Sequence, residues 1–151
     1  MKHILAAGIM ILLFLLPLPA QDMQQMQFIH LLADKPAASF SDAVTFMTIA
    51  AGMQPKDFNF NLQVLKNRKI ARGMDYHAAA PLRRGALSLM IARHLDLSDS
   101  LLYMVFGTGR YAYRACVAEG IMDHEGSEWD ILSGGELIEI MNKTIERAGE
   151  R

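Results

Sequence analysis

Apolar residues recur at helical spacing along most of the chain. Met23, Met26, Ile29 and Leu32 predict a helix over Met23–Ala33, ended by Lys35-Pro36. Ser39 or Ser41 can cap the next helix, which carries Val44 and Met47 and runs through Ala51 to Gly52. Asp57–Ala71 follows, with Phe58, Leu62, Leu65 and Ile70 inward and Gly73 as its stop. Leu82–Leu95 places Leu87, Met90, Ile91 and Leu95 on one stripe. Ser98-Asp99 opens a short helix, Leu101–Phe106, which Gly107 ends. Arg110–Met122 is next. The last helix is Ser133–Ala148, with Leu137, Ile138, Met141 and Ile145 as its apolar face. Strand formers are scarce: four Val and four Thr stand among abundant Leu, Ala and Met, so the expected class is all-α.

One apolar run is continuous rather than periodic. Lys2-His3 precedes Ile4–Leu16, then Pro17 and Leu18-Pro19-Ala20, which is the order of a secretory signal peptide with cleavage near Ala20. As a helix this run would rise only about 20 Å, short of the roughly 30 Å hydrocarbon core. The chain is therefore expected to be exported to the periplasm or cell envelope, with membrane contact only through the leader before cleavage. Its formal net charge of −1 argues against a nucleic-acid binder. One cysteine, Cys116, excludes an internal disulfide and a multi-cysteine zinc site. It reads as a small buried apolar side chain.

Two stretches match each other. Phe60, Leu62, Leu65 and Ile70 align with Tyr111, Tyr113, Cys116 and Ile121 at a spacing of 51, and Leu82, Gly85, Leu87 and Met90 align with Leu132, Gly135, Leu137 and Ile140 at a spacing of 50. Each unit reads as helix, polar loop, helix. The expected organisation is a leader over residues 1–20, an N-terminal helix and linker over 21–38, and a helical domain over 39–151 with repeat units at about 57–97 and 110–148. The other helices flank the units and complete the core.

The second unit opens on Arg110-Tyr111-Ala112-Tyr113, continues through Glu119-Gly120-Ile121 and reaches Leu132-Ser133-Gly134-Gly135-Glu136-Leu137. This order resembles the S-layer homology module of bacterial envelope proteins: its Trp-Ala-Tyr opening, its Gly-Ile and its Ile-Thr-Arg-Ala-Glu-Phe segment. Pro81-Leu82-Arg83-Arg84-Gly85-Ala86-Leu87 holds the last place in the first unit. The resemblance covers about Asp57 to Glu146 and implies a structural or attachment module that binds wall polysaccharide. Arg84 stands where that family places an Arg that contacts anionic wall polysaccharide; the second unit has Gly134 there.

The residues also allow a reading without the family. Ser133 and Glu136 fit a capping box, a structural alternative to ligand binding. The first unit lacks it, with Arg83 at the cap and Ala86 at the Glu position. Arg83 and Arg84 are either a solvated helix start or carboxylate ligands able to donate paired hydrogen bonds. Ser133-Gly134-Gly135 can offer backbone N–H groups to an anion. Tyr111 and Trp129 flank the second unit's loop, where aromatic faces either stack on sugars or pack the rim of the core. The candidate ligand-binding residues are thus Arg83, Arg84, Tyr111, Trp129, Ser133, Gly134 and Glu136.

Catalytic signatures are thin. Asp123-His124-Glu125 holds an acid, a base and potential metal ligands, but no second His or carboxylate cluster is spaced to complete a site. The other histidines are scattered. Gly107-Thr108-Gly109 follows a helix and reads as a turn, not a dinucleotide loop. The expectation is a non-enzymatic envelope module with no cofactor, metal or catalytic residue and with wall polysaccharide as partner. The alternative is a periplasmic interaction or assembly factor that binds an envelope protein, favoured by Met23 and Met26 among Gln24, Gln25 and Gln27 on the first helix.

Overall fold

A computed structural model describes residues 20–97 and 101–150. They form seven helices: α1 (Ala20–Ala33), α2 (Phe40–Ala50), α3 (Phe58–Asn67), α4 (Arg84–His94), α5 (Leu101–Phe106), α6 (Gly109–Ala118) and α7 (Gly134–Gly149). Among the described residues there is no strand, only two isolated antiparallel bridges, Ser39 with Pro81 and Arg83 with Ile131. The protein is all-α. No described helix is long and apolar enough to cross a membrane. The expected leader, up to residue 19, and the Ser98-Asp99 helix start lie outside the described residues. The chain divides into two compact units, one ending at Leu31 and one beginning at Leu32. In the first, α1 begins three residues before the expected start and leaves Met26, Ile29 and Leu31 exposed.

The second unit is organised around three short extended segments, each leading into a helix. Ser39, Arg83 and Ser133 are the N-caps of α2, α4 and α7, all in extended conformation. The residue before each cap is buried: Ala38, Leu82 and Leu132. These three close a ring of backbone hydrogen bonds. Ala38 N–H donates to Leu132 C=O at 2.7 Å, Leu132 N–H to Leu82 C=O at 2.9 Å, and Leu82 N–H to Ala38 C=O at 2.8 Å. The first helical residue of each segment then reaches the neighbouring strand-like turn. Phe40 N–H donates to Ala80 C=O at 2.8 Å, Arg84 N–H to Asp130 C=O at 2.9 Å, and Gly134 N–H to Lys35 C=O at 2.9 Å. Buried amides and carbonyls must be paired, and this ring pairs them without a sheet. The result is a quasi-threefold hub.

Helix packing follows the hub. α4 lies on α6 and α2 lies on α3, so two of the hub helices each pack on the helix that opens the next unit. The α4–α6 crossing is close: a side chain at Gly85 would press on the Glu128 carbonyl, and one at Gly109 on the Gly85 carbonyl. The core fills with Phe40, Val44, Met47, Leu65, Leu87, Met90, Ile91, Leu137 and Met141.

Four details differ from the sequence-based expectation. The helix Phe40–Ala50, read as a flanking element, supplies the third segment of the hub. α3 stops at Asn67, not Ala71, and α6 stops at Ala118, not Met122. In both, a residue with positive φ (Lys69 at 63°, Gly120 at 73°) reverses the chain. The next residue, Ile70 or Ile121, then donates back to Leu65 C=O or Cys116 C=O at 2.9 Å and enters the core. The face of α7 is also rotated: Leu137, Ile140, Met141 and Thr144 are buried, Ile138 is half-buried and Ile145 is 44% exposed.

Candidate binding site

The three junctions of the hub share one backbone geometry but carry different side chains. At the junction of α4 with α7, the first residue of α4 meets the third residue of α7. Arg84 Nη2 lies 2.6 Å from Glu136 Oε1. The other carboxylate oxygen of Glu136 accepts from Ser133 N–H and Ser133 Oγ–H, each at 2.8 Å, while Ser133 Oγ accepts from Glu136 N–H at 3.2 Å. This is the expected capping box with a cation added. The Ser133 amide, its hydroxyl and the Arg84 guanidinium hold the Glu136 carboxyl below its usual value, against a smaller opposing effect of burial. Arg84 Nε is buried without a hydrogen-bond partner, and the guanidinium is anchored through Nη2.

At the junction of α7 with α2, the first position is Gly134. Its N–H is taken by Lys35 C=O, and a side chain there would run into the Leu32 backbone carbonyl. The cation is supplied instead by Lys35, whose Nζ lies 2.8 Å from Asp42 Oδ1. Asp42 also closes a capping box with Ser39. Burial raises the Asp42 carboxyl, but Lys35 and the Ser39 amide and hydroxyl outweigh it and leave it below its usual value.

At the junction of α2 with α4, the corresponding residues are Phe40 and Ala86. Among the described residues no ion pair closes it, and Arg83 makes no side-chain cap hydrogen bond. The space is an apolar hollow of about 440 Å³ with Phe40, Leu82 and Ala86 in its lining and Tyr76, Arg83 and Trp129 around it. Tyr76 packs on Phe40 with ring centroids 5.0 Å apart and is 50% exposed. Trp129 is 66% exposed, with the Arg83 guanidinium 5.3 Å from its ring centroid. The loop that presents Trp129 is held tightly. Ser127 N–H donates to Asp130 Oδ2 at 2.7 Å, and Gly85 N–H donates to Glu128 C=O at 2.8 Å. The loop backbone that carries the indole is therefore fixed by these bonds.

The candidate residues separate accordingly. Arg83 and Trp129 face the hollow together. Arg84, Ser133 and Glu136 are brought together but spent on one another, and Gly134 has its amide occupied, so the expected anion-binding turn has lost that donor. Tyr111 is half-buried, stacked on Phe106 at 4.9 Å and 22°, and does not line the hollow. Tyr76 was missed: it sits in a polar stretch with no periodic signal and gains meaning only by packing on Phe40. His124 and Glu125, 4.0 Å apart, have side chains 82% and 87% exposed. Among the described residues no group of three or more His, Cys, Asp or Glu is placed to hold a metal ion. Cys116 is buried, and burial pushes its thiol up to about 12, so it is unreactive at neutral pH.

Comparison with known proteins returns no matching family model, no matching curated protein and no matching solved structure.

Proposed function

We propose that this chain is an exported, non-enzymatic cell-envelope protein that attaches to wall polysaccharide at the hollow between α2 and α4. The observation that carries this reading is the open junction. Where its two counterparts are closed by charge pairs, Phe40 and Ala86 leave an apolar floor flanked by two exposed aromatic rings and a guanidinium with no acidic partner among the described residues. Sugar rings bury their C–H faces on Trp and Tyr rings, and an Arg beside them can bind a carboxylate or phosphate in bidentate fashion. The leader-like residues 1–20 and the resemblance of 57–146 to the S-layer homology module point in the same direction.

Co-sedimentation of the mature protein with isolated wall polysaccharide tests the reading. Retention at low salt, reduced at least about tenfold by Trp129→Ala, is the expected result. No retention, or equal retention of Trp129→Ala, overturns it.

A periplasmic interaction or assembly factor is the second reading, favoured by the contiguous exposed residues Met104, Val105 and Phe106 at the end of α5. A pull-down from envelope extract that returns no partner, together with a monomer in solution, counts against it.

A further inference from the structure

We propose that the polysaccharide site is a groove for an internal stretch of a linear anionic glycan, not a pocket for a chain end. This rests on the attachment reading above and adds the form in which the polymer is recognised. The hollow between α2 and α4 does not end at Trp129. A second depression of about 330 Å³ shares Tyr76, Arg83, Ala86 and Trp129 with it and extends to Arg110 at the start of α6. A third, of about 380 Å³, shares Arg110 and Glu128 with the second and continues along Arg114 to His124. Shared lining residues join the three in series, and the close crossing of α4 and α6 at Gly85 and Gly109 lines the second.

Charge runs along the cleft. Arg83, Arg110 and Arg114 line it in that order, all exposed, and no carboxylate pairs with any of them among the described residues. Arg110 and Arg114 stand one helical turn apart, a spacing at which like charges repel and slightly destabilise the helix. Glu128 is the one acid in the described lining, and among the described residues its carboxylate accepts a long 3.4 Å bond from Ser127 Oγ. The excess of fixed positive charge in a concave surface attracts an anion with charges repeated along its length.

A chain-end site would be stopped by a wall at one side. This cleft runs out at both sides among exposed groups, Pro81 at one and Arg114 and His124 at the other. The aromatic end supplies ring stacking, and the α6 end supplies spaced guanidiniums. A polymer that passes through uses both.

The test uses the mature protein, wall polysaccharide hydrolysed and sorted by fragment length, and polyglutamate as an acidic peptide. Competition against intact polymer should strengthen with fragment length and then level off. Arg110→Ala/Arg114→Ala should fold normally, weaken retention about tenfold and reduce its dependence on salt. If the shortest fragments compete as well as long ones, or if the double variant binds like the parent while Trp129→Ala fails, the groove is wrong and the attachment reading stands. If polyglutamate competes as well as long glycan fragments, the cleft is a peptide site and the proposal falls. If intact polymer is not retained at all, the attachment reading fails first and this proposal with it.

Discussion

Two junctions of one hub show how the same backbone can be made structural or left available. At Arg84–Glu136 the third helical position is an acid, and a guanidinium from the neighbouring segment satisfies it. At Phe40–Ala86 both positions are apolar, so the junction holds by packing alone and its rim is left to Tyr76, Arg83 and Trp129. The neighbouring arginines Arg83 and Arg84 make the contrast sharp. One is 14% exposed at its side chain and committed to Glu136. The other is exposed and, among the described residues, has an aromatic face beside it and no carboxylate.

Emptying the apolar core at the hub beneath both junctions has the largest expected effect. Leu132 is fully buried, and its backbone both donates and accepts in the ring. Leu132→Ala should cost about 2–5 kcal/mol in urea or thermal unfolding, because the surrounding segments cannot collapse into the gap. A loss below about 1 kcal/mol would show that the ring is not the centre of the core.

The arginine contrast is tested by parallel replacement. Arg84→Met should destabilise the protein by about 1–2 kcal/mol, since Glu136 loses a partly buried cation; its own exposure keeps the figure below that of a fully buried pair. Arg83→Met should change stability by less than about 0.5 kcal/mol. Equal effects would erase the distinction between the committed and the available guanidinium.

Acid sharpens the same comparison. The Asp42 and Glu136 carboxyls sit below their ordinary values of 3.8 and 4.5 in the folded state. Depressed carboxyl pKa values mean that the unfolded chain binds more protons in this range. The stability they contribute is therefore fully present above about pH 4.5 and lost as pH falls through the lowered folded values. Unfolding free energy should fall with acidification below pH 4.5, and Arg84→Met should make that fall shallower. An unchanged slope would remove Arg84 from the account. The Phe40–Ala86 junction contributes nothing to it, having no titrating pair.

Much of this was legible in the chain. Ser133 and Glu136 are three residues apart before an apolar run, and a capping box is a local device, so its geometry follows from spacing. The stripe Leu87, Met90, Ile91 and Leu95 was read correctly for a similar reason: helical periodicity is local. The hub was not legible as a whole. Ser39 to Arg83 spans 44 residues and Arg83 to Ser133 spans 50, so the first segment falls out of register with the two that match. Its cap position also shares no residue type with Arg83. The end of α3 was missed because a Lys at φ 63° does not advertise a reversal; that of α6 was missed although Gly120 does, because the apolar pattern continues through Ile121 and Met122. Of the proposed cleft, Arg83 and Trp129 were visible as a cation and an aromatic beside polar loops. Tyr76, Arg110 and Arg114 were not, because their meaning lies in which segments the hub brings side by side.

The smallest effect on stability is the one that best separates function from folding. Arg83 occupies an N-cap where its two counterparts are Ser39 and Ser133, and it makes no side-chain cap bond. Arg83→Ser adds a hydroxyl at the place from which Ser39 and Ser133 accept from the Asp42 and Glu136 amides, here facing the Ala86 N–H. It should raise stability by about 0.5–1 kcal/mol. It also deletes the guanidinium beside Trp129, so retention on wall polysaccharide should fall while the melting temperature rises. A position where the better cap weakens binding is one where folding has yielded to a ligand. If Arg83→Ser stabilises the protein and leaves retention intact, the open junction is a packing variant and the contrast between the two arginines concerns stability alone.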